Sequence, residues 1–488
     1  MAFISLLSTF PFYPSLSTSS STSNLSFLHL RLLKPTYCLS LKQSNTPETD
    51  THFSQNDALR VAFAAGGTGG HISPAVAIAD ELKIINPASQ FLFVGSPNSM
   101  EATAIPSFGF DFVSVPTLVR LFRPLVSLRN LFLPYYIIKS VLLCNSILED
   151  FDPHIVVGTG GYVSFPICLA AVFKGIKVVI QEQNSVPGIA NWVLSFLADK
   201  VFVAFNSTVE CFPRKSNCVV CGNPVRLSVR TFVSKEVAKL KFFPKSGKGE
   251  GKVLLILGGS LGANAINIAM LNFYYKMLME DKLFIIWQTG VESFNEMESL
   301  VKNHPHLLLT PLLLCGDGCN DEVKRFIGKD ALLGLLLFGN RTMLRGEEHF
   351  NDVLFDQSHT LVSPVCDLFL ESMDLAYAAA DLVVSRAGAM TCSEILATGK
   401  PAILIPSPNV AEGHQLKNAS LMADVAGSRV ITEDELDSIT LGTAIEDILG
   451  NEGLMADMSE RARKAAKPSA SAEIAHQILS LIESSAAK

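Results

Sequence analysis

Residues 59–82, LRVAFAAGGTGGHISPAVAIADEL, decide the fold of this 488-residue chain. An apolar run, 59–65, leads into the glycine turn 66–71 and then into a helical pattern with Pro74 in its first turn, where a missing N–H is tolerated. The run is continuously apolar, which is typical of a strand buried on both faces of a parallel sheet. The stretch therefore predicts the strand, turn and helix of an α/β protein.

The same pattern recurs along the chain in two series. The first series continues through apolar runs at 91–95, 154–158, 178–181 and 200–205. The second follows a Lys/Gly-rich stretch and comprises runs at 253–259, 283–288, 381–385 and 402–406. Two such series predict two doubly wound, Rossmann-like domains that face each other across a cleft. Ligands of these sheets bind outside the carboxyl ends of the strands, so we expect the site in the cleft.

Composition excludes several classes of protein. Charged residues make up 17% and hydrophobic residues 48%, so most of the chain is not disordered. The net charge of −7, without a basic stripe, argues against a nucleic-acid partner. No uninterrupted apolar run reaches the length of about 18 residues that a membrane span needs.

The stretch 118–144, with Arg120, Arg123, Arg129 and Lys139, predicts peripheral contact with anionic lipid, and a core helix is the alternative.

The first residues have the composition of a targeting segment. No Asp or Glu precedes Glu48, and Ser and Thr dominate 15–26. Acid-poor, Ser-rich leaders are typical of organelle transit peptides, and the scarcity of arginine favours the chloroplast over the mitochondrion. We therefore expect a protein of the chloroplast stroma, or of the stromal face of the inner membrane.

One internal segment does not fit the α/β pattern. Residues 312–368 have no sustained helical or strand period. A structureless segment of this length is unusual inside a compact domain. We interpret it as an atypical insertion, such as retained non-coding sequence in the gene model, and a genuine extra subdomain is the alternative.

Three glycine turns, 66–71, 158–162 and 258–263, each follow a predicted strand. A glycine turn that opens a helix presents N–H groups and a partial positive charge, which suits phosphate. The spacing GxGxxG fails, because Ile72 stands where its third glycine would be, and GxxxxGK[ST] is absent. The turns therefore predict a nucleotide-dependent chemistry other than dinucleotide redox or P-loop hydrolysis.

Seven motifs in order extend this interpretation. They are GGTGGHISPAVAIADEL, GTGGYVSFP, QEQNSVPGIAN, GNPVR, GGSLGA, DLVVSRAGAMTCSEILATGKPAILIP and HQLKNA. Together they resemble the bacterial MurG family of UDP-N-acetylglucosamine transferases, which glycosylate a lipid-linked pyrophosphoryl-N-acetylmuramyl-pentapeptide (lipid I) to give lipid II. The resemblance covers about 60–481 apart from the insertion. It implies a two-domain GT-B fold, inversion at the anomeric carbon, and neither a metal nor another cofactor.

The resemblance also implies the site residues. The acceptor side would comprise Thr68, Gly69, Gly70, Tyr162 and Asn184, with His71 and Glu182 as the catalytic residues. On the donor side, Arg226 would lie near the uracil, Ser260 at the diphosphate, Glu394 at the ribose, and Gln415 and Asn418 at the sugar, beside Gly262, Arg386, Gly388 and Thr391. An imidazole with a pKa near 6.5 suits a general base. Acceptor-phosphate binding or helix capping by His71 is the alternative.

The resemblance implies a domain for each substrate. The expected division is a transit peptide at 1–55, an acceptor-binding domain at 58–232, a linker at 233–252, a UDP-sugar-binding domain at 253–470 and a C-terminal helix at 471–488. Gln181 and His414 depart from the common family pattern.

Two other functions stay open: a plastid glycolipid synthase that uses UDP-galactose, and a catalytically impaired scaffold protein whose donor site the insertion disrupts.

Overall fold

The computed structural model of the chain describes residues 58–67, 69–97, 99–116, 131–244, 251–259, 262–279, 283–311, 373–409 and 413–486. Thr68, Ser260, the predicted transit peptide and the predicted insertion lie outside the described residues.

The first lobe is built on a sheet of seven parallel strands. They are β1 (Arg60–Ala65), β2 (Gln90–Gly95), β3 (Asp111–Ser114), β4 (Ile155–Gly160), β5 (Lys177–Glu182), β6 (Lys200–Val203) and β7 (Cys218–Val220). Their order across the sheet is β3-β2-β1-β4-β5-β6-β7, so the winding direction reverses between β1 and β4. Such a reversal opens a crevice at the carboxyl ends of the two strands.

Within the described residues, six helices connect these strands and a seventh follows β7. They are α1 (Gly69–Ile85), α2 (Met100–Ser107), α3 (Leu133–Phe151), α4 (Ser164–Phe173), α5 (Ile189–Leu194), α6 (Asn206–Val209) and α7 (Leu227–Arg230), with a short 3₁₀ turn at Lys215–Asn217.

The second lobe repeats this design with six parallel strands. They are β8 (Val253–Leu257), β9 (Phe284–Gln288), β10 (Leu307–Thr310), β11 (Leu382–Ser385), β12 (Ala402–Leu404) and β13 (Arg429–Val430), in the order β10-β9-β8-β11-β12-β13. Its helices are α8 (Lys235–Phe242), α9 (Asn264–Leu271), α10 (Tyr274–Met279), α11 (Phe294–Leu300), α12 (Met373–Ala379), α13 (Ala389–Thr398), α14 (His414–Ala426), α15 (Ser438–Leu449) and α16 (Glu452–Ala465), and the chain ends with α17 (Ala470–Ala486). The two Rossmann-like sheets confirm the predicted fold class.

Two segments join the lobes. In the segment expected as a linker, 233–252, helix α8 buries Ala238 and Phe242 in the core of the second sheet. Helix α17 returns to the first lobe, where Ile474 and Ile478 belong to the core around β1. The second lobe therefore begins before its first strand, and the end of the chain completes the first lobe.

Candidate functional site

The glycine turns after β1 and β4 touch each other. Gly160 and Gly161 have φ angles of +110° and +89°, which residues with a side chain rarely adopt. A Cβ on Gly161 would lie 2.1 Å from the carbonyl oxygen of Gly66, and one on Gly160 would lie 2.8 Å from the His71 ring. Only glycine therefore allows the two turns to meet, and their contact places His71 at the crevice between β1 and β4.

Two hydrogen bonds fix His71 in the first turn of α1. Its Nδ1 lies 2.9 Å from the Gly66 carbonyl oxygen, which can only accept, so Nδ1 carries the proton and Nε2 is the basic nitrogen. The hydroxyl of Thr159 donates to the His71 carbonyl oxygen at 2.8 Å. Both partners belong to the glycine turns, so the geometry of these turns determines the position of the imidazole.

Burial favours the neutral form of His71. Burial lowers the pKa of its imidazole, and this effect outweighs the opposing influences of the Gly66 carbonyl, Glu182 and Glu101. The imidazole of His414, at the start of α14, also lowers the pKa. A neutral imidazole can accept a proton. His414 belongs to the second lobe, so this interaction also brings residues of the two lobes together at the site.

Glu182, whose catalytic role stays a prediction, organises the loop that follows β5. Its carboxylate is buried and accepts four hydrogen bonds, from the backbone N–H groups of Asn184 and Gly188 and from the side-chain amides of Asn184 and Asn191, at 2.8–3.1 Å. Four donors fill most of the acceptor capacity of a carboxylate. We therefore assign Glu182 a positioning role, through the loop and through its charge on His71.

The other residues expected on the acceptor side lie around this loop and the glycine turns. Asn184 is half-buried, and its amide holds Glu182. Tyr162 is half exposed beside the second turn, and Gly69 and Gly70 open α1. Their contact with an acceptor stays a prediction.

The third glycine turn follows β8 in the second lobe. Gly259 and Gly262 have positive φ angles, and a Cβ on Gly262 would lie 2.6 Å from the Thr289 carbonyl oxygen. The turn leads into α9 at Asn264. An exposed turn of this kind at a helix N-terminus suits a diphosphate. The contact of Gly262 with a diphosphate stays a prediction.

A second helix N-terminus lies at the neighbouring strand. Gly388 precedes α13 with extended backbone angles, and no side chain caps the helix. Thr391 and Glu394 follow one turn apart on α13. Burial raises the pKa of Glu394 to about 7, although the hydroxyl of Tyr377, which donates to its carboxylate at 3.0 Å, opposes the rise. A perturbed carboxyl at a crevice is typical of a functional group.

The two arginines expected at the donor are held inside their own lobes. Arg386 donates to Glu433 at 2.7 Å and to the Ile405 carbonyl at 3.3 Å. Arg226 lies 3.5 Å from the Asp80 carboxylate, and its guanidinium is 4.3 Å from the ring centre of Phe108. These contacts tie β11 to the loop after β13, and the segment before α7 to α1 and α2. The donor contacts of the two arginines stay predictions.

Asn418, whose contact with the sugar stays a prediction, hydrogen-bonds across the two lobes. It is buried; its side-chain oxygen accepts from the backbone N–H and hydroxyl of Ser185 at 3.3 and 3.0 Å, and its nitrogen donates to the Ala387 carbonyl. Gln415, one turn earlier on α14, accepts from the Ser407 N–H at 2.8 Å. Asn418 therefore holds the two sides of the cleft in contact.

A second tie crosses the cleft close to Glu394. The side-chain amide of Asn223 donates to the hydroxyl of Ser393 at 2.9 Å and to the Gln183 carbonyl at 3.0 Å, and its oxygen accepts from Gln181. A mostly apolar cavity of about 300 Å³ adjoins this tie and is lined by Asn223 and Ser393. His71, Glu182 and Glu394 do not line it, so this cavity lies beside the candidate site.

Three residues of the site were not predicted. Glu101 and Tyr377 stand in segments without a recognisable motif, and their roles arise only from folding. Ser185 lies inside the motif QEQNSVPG, but its partner, Asn418, is more than 200 residues away.

Within the described ranges, no group of three or more His, Cys, Asp or Glu side chains could hold a metal ion.

Family models match both lobes. The model of the glycosyltransferase family 28 N-terminal domain matches residues 61–203, and that of the family 28 C-terminal domain matches 340–477. The second match begins inside the predicted insertion, so 340–368 belong to the segment that resembles the family.

Curated relatives match over nearly their whole length. A protein of Salinibacter ruber is 33% identical over 426 residues, which cover 87% of this chain and 98% of the relative. One of Caldanaerobacter subterraneus is 35% identical over 417 residues, which cover 85% and 98%. Both are named UDP-N-acetylglucosamine–N-acetylmuramyl-(pentapeptide) pyrophosphoryl-undecaprenol N-acetylglucosamine transferase.

Solved structures share the fold. Acinetobacter baumannii MurG superposes with a TM-score of 0.56 at 23% identity, over 88% of this chain and all of that one. A UDP-GlcNAc 2-epimerase of Neisseria meningitidis superposes with a TM-score of 0.52 at 13% identity, over 86% of this chain and all of that one. At these identities the likeness concerns the fold alone. The two matched domains and the extent of the sequence identity together show that the chain belongs to the MurG family of glycosyltransferase family 28.

Proposed function

We propose that this chain transfers N-acetylglucosamine from UDP-N-acetylglucosamine to a lipid-pyrophosphoryl-N-acetylmuramyl-pentapeptide. The observation that carries the proposal is the place of His71. A neutral imidazole, with its proton fixed on Nδ1, lies at the crevice of the first sheet and interacts with His414 across the cleft. The names of the relatives supply the donor and the acceptor.

In the proposed reaction, His71 acts as the general base. The acceptor hydroxyl gives its proton to Nε2, and its oxygen forms a bond to the anomeric carbon of the donor sugar. The bond between that carbon and the β-phosphate oxygen breaks, and UDP leaves with the additional negative charge. The Gly258–Gly262 turn and the N-terminus of α13 stabilise this charge, each by about 0.3–2 kcal/mol.

The test is UDP release by the purified protein. We expect release from UDP-N-acetylglucosamine only when lipid I is present, and a loss of about 10²–10⁴-fold in kcat for His71→Ala. Release from UDP-galactose with diacylglycerol would identify the glycolipid synthase instead. An absence of turnover, together with no thermal stabilisation by saturating UDP, would support the scaffold protein.

We also propose that the first lobe contacts the membrane through helix α3. Its outer face exposes a set of large apolar side chains: Tyr135, Tyr136, Ile138, Leu142 and Leu143, preceded by Leu131 and Phe132. Lys139 is exposed on the same helix. An apolar face beside basic charge suits a lipid surface, which is where a lipid-linked acceptor lies. Among the described residues, no helix is both long and apolar enough to cross a bilayer.

Vesicle binding tests this surface. Ile138 and Leu142 lie one turn apart, so the pair Ile138→Glu and Leu142→Glu places two charges on the same face. We expect this variant to lose co-sedimentation with vesicles that contain anionic lipid. The matched control is Ile439→Glu, an exposed apolar residue on α15 of the second lobe, which should bind like the wild type. Equal binding by both variants would exclude the surface.

The proposed location is the chloroplast, at the stroma or the stromal face of the inner membrane. Its support is the acid-poor, Ser/Thr-rich composition of residues 1–47. The test is import of the full chain by isolated chloroplasts. We expect a protease-protected, shortened product, and a chain that stays outside at full length would contradict the proposal.

A further inference from the structure

Glu101 is a buried carboxylate that the proposed reaction leaves unused. It lies in the first turn of α2, almost fully inaccessible, beneath the glycine turn after β1. Its Oε1 accepts from the N–H of Gly67 at 3.3 Å and from the N–H of Ser96 at 3.1 Å. Its Oε2 is buried and accepts no hydrogen bond within the described part of the chain. Burying a half-satisfied carboxylate is costly, so a residue of this kind calls for a functional explanation.

The connection between Glu101 and His71 is a single peptide unit. The N–H of Gly67 and the carbonyl of Gly66 belong to the same peptide group. Glu101 accepts from the N–H side, and the carbonyl side accepts from His71 Nδ1 at 2.9 Å. An anionic acceptor at the N–H polarises the peptide and increases the negative charge on its carbonyl oxygen, because hydrogen bonds in a chain strengthen one another.

We infer that Glu101 is the positioning residue for His71, acting through the Gly66–Gly67 peptide. In a Ser-His-Asp triad, a carboxylate bonds directly to Nδ1–H, fixes the tautomer and stabilises the imidazolium that forms when the base takes its proton. Here the peptide group stands between the carboxylate and the imidazole, and its polarised carbonyl oxygen would stabilise the imidazolium in the place of a directly bonded carboxylate. This inference rests on the proposed function, in which His71 is the base.

The space around the turn supports this arrangement. A Cβ on Gly66 would lie 2.8 Å from Glu101 Oε1, so the carboxylate packs directly against the peptide that it polarises. The charged groups that face His71 are Glu101 from α2, Glu182 from the end of β5 and His414 from α14. The negative charge of Glu101 raises the pKa of His71, against the larger lowering by burial.

Glu101→Gln tests the inference, because it keeps the shape of the side chain and removes the charge while Glu182 and His414 stay in place. The primary measurement is the titration of the His71 ring nitrogens by ¹⁵N NMR in the full chain, with His71→Ala to assign the signal. We expect the pKa of His71 to fall below its wild-type value. The second measurement is kcat/KM for UDP release against pH, whose acidic limb should move to lower pH while kcat falls by about 10–100-fold, less than the loss of the base itself.

The matched control is Asp199→Asn. Asp199 also holds a backbone amide in the first lobe, that of Val178 at 2.9 Å, and it pairs with Lys177. We expect this variant to lose stability without any change in the titration of His71 or in the acidic limb.

An unchanged pKa of His71 in Glu101→Gln would overturn the inference, and so would a rise toward 6.5, which would indicate that the turn has opened to water. If Glu101→Gln does not fold, Glu101→Asp carries the test. It keeps the charge but withdraws it from Gly67, so the pKa of His71 should fall and kcat should stay closer to the wild type. The NMR titration needs no turnover, so it distinguishes a failure of this inference from a failure of the proposed reaction.

Discussion

At the scale of single residues, Glu394 shows how burial tunes a binding group. Burial raises its pKa to about 7, and the Tyr377 hydroxyl limits the rise by donating to the carboxylate. Near neutral pH the group therefore changes between a carboxylic acid and a carboxylate. The carboxylate is the stronger acceptor at both oxygens, as two ribose hydroxyls would require, whereas the acid turns one oxygen into an O–H donor.

UDP binding should follow this titration. We expect the affinity to rise as the pH increases through about 7, because Glu394 loses its proton over this range. Tyr377→Phe removes a bond that favours the charged form, so the midpoint should move to higher pH. Glu394→Gln should abolish the pH dependence and weaken binding at pH 8 by about 10–100-fold. Calorimetric titrations from pH 5.5 to 8.5 measure all three, and an unchanged pH dependence in Glu394→Gln would exclude this role.

The partners of the candidate residues were beyond the reach of sequence reasoning at this scale. The glycine turns and His71 can be predicted because their motifs are local and follow recognisable strands. Arg226 and Arg386 follow strands too, but their partners Asp80, Phe108 and Glu433 come from distant segments. A sequence shows that an arginine is present near a site, and only the fold shows which carboxylate neutralises it.

At the scale of elements, the contact between two glycine turns positions the base. Gly161 approaches the Gly66 carbonyl so closely that a methyl group there would overlap it. Gly175 also has a positive φ angle, but a Cβ on it would meet nothing within 4 Å. Both glycines have a positive φ angle, but only Gly175 has room for a Cβ.

Alanine substitutions of Gly161 and Gly175 test the contact between the two glycine turns. Gly175→Ala should cost about 1–2 kcal/mol of stability, the strain of a left-handed residue with a side chain. Gly161→Ala should cost more, about 2–4 kcal/mol, and should also reduce kcat, because Gly66 must move and it holds His71. Urea unfolding and UDP release measure the two effects. Equal losses of stability in both variants would show that the turns are not in contact.

The central strands and the edge strands differ in how well the sequence predicts them. The strands β1, β4, β8 and β11 are buried along their length and therefore have continuous apolar runs. The edge strands β3, β10 and β13 are partly exposed and only two to four residues long, so any apolar run in them is short. The chloroplast location and the interpretation of the insertion stay predictions, because both concern segments outside the described residues.

At the scale of the whole molecule, the last helix belongs to the first lobe although the chain reaches it last. Ile474, Ile478 and Ile482 of α17 pack with the residues of β1 and α1. The Lys200 side chain also donates to Gln477 of this helix. The first lobe therefore cannot complete its core until the second lobe has been synthesised.

Shortening one side chain of α17 should consequently loosen the first lobe. Ile478 is fully buried, so Ile478→Ala should cost about 2–5 kcal/mol. The amides of β1 and β4 should lose hydrogen-exchange protection more than those of β8 and β11. Ile439→Ala, at an exposed position of the second lobe, should change stability by no more than about 0.5 kcal/mol. A loss of protection confined to the second lobe would contradict this assignment of α17.

The proposed function requires a cleft in which the second lobe holds a sugar nucleotide against His71 of the first lobe. The most direct measurement is a crystal structure of the protein with bound UDP-N-acetylglucosamine. We predict the diphosphate at the Gly258–Gly262 turn, the ribose within hydrogen-bonding distance of Glu394, and the anomeric carbon facing His71. A nucleotide bound in the apolar cavity beside Ser393, or an anomeric carbon turned away from His71, would contradict the account.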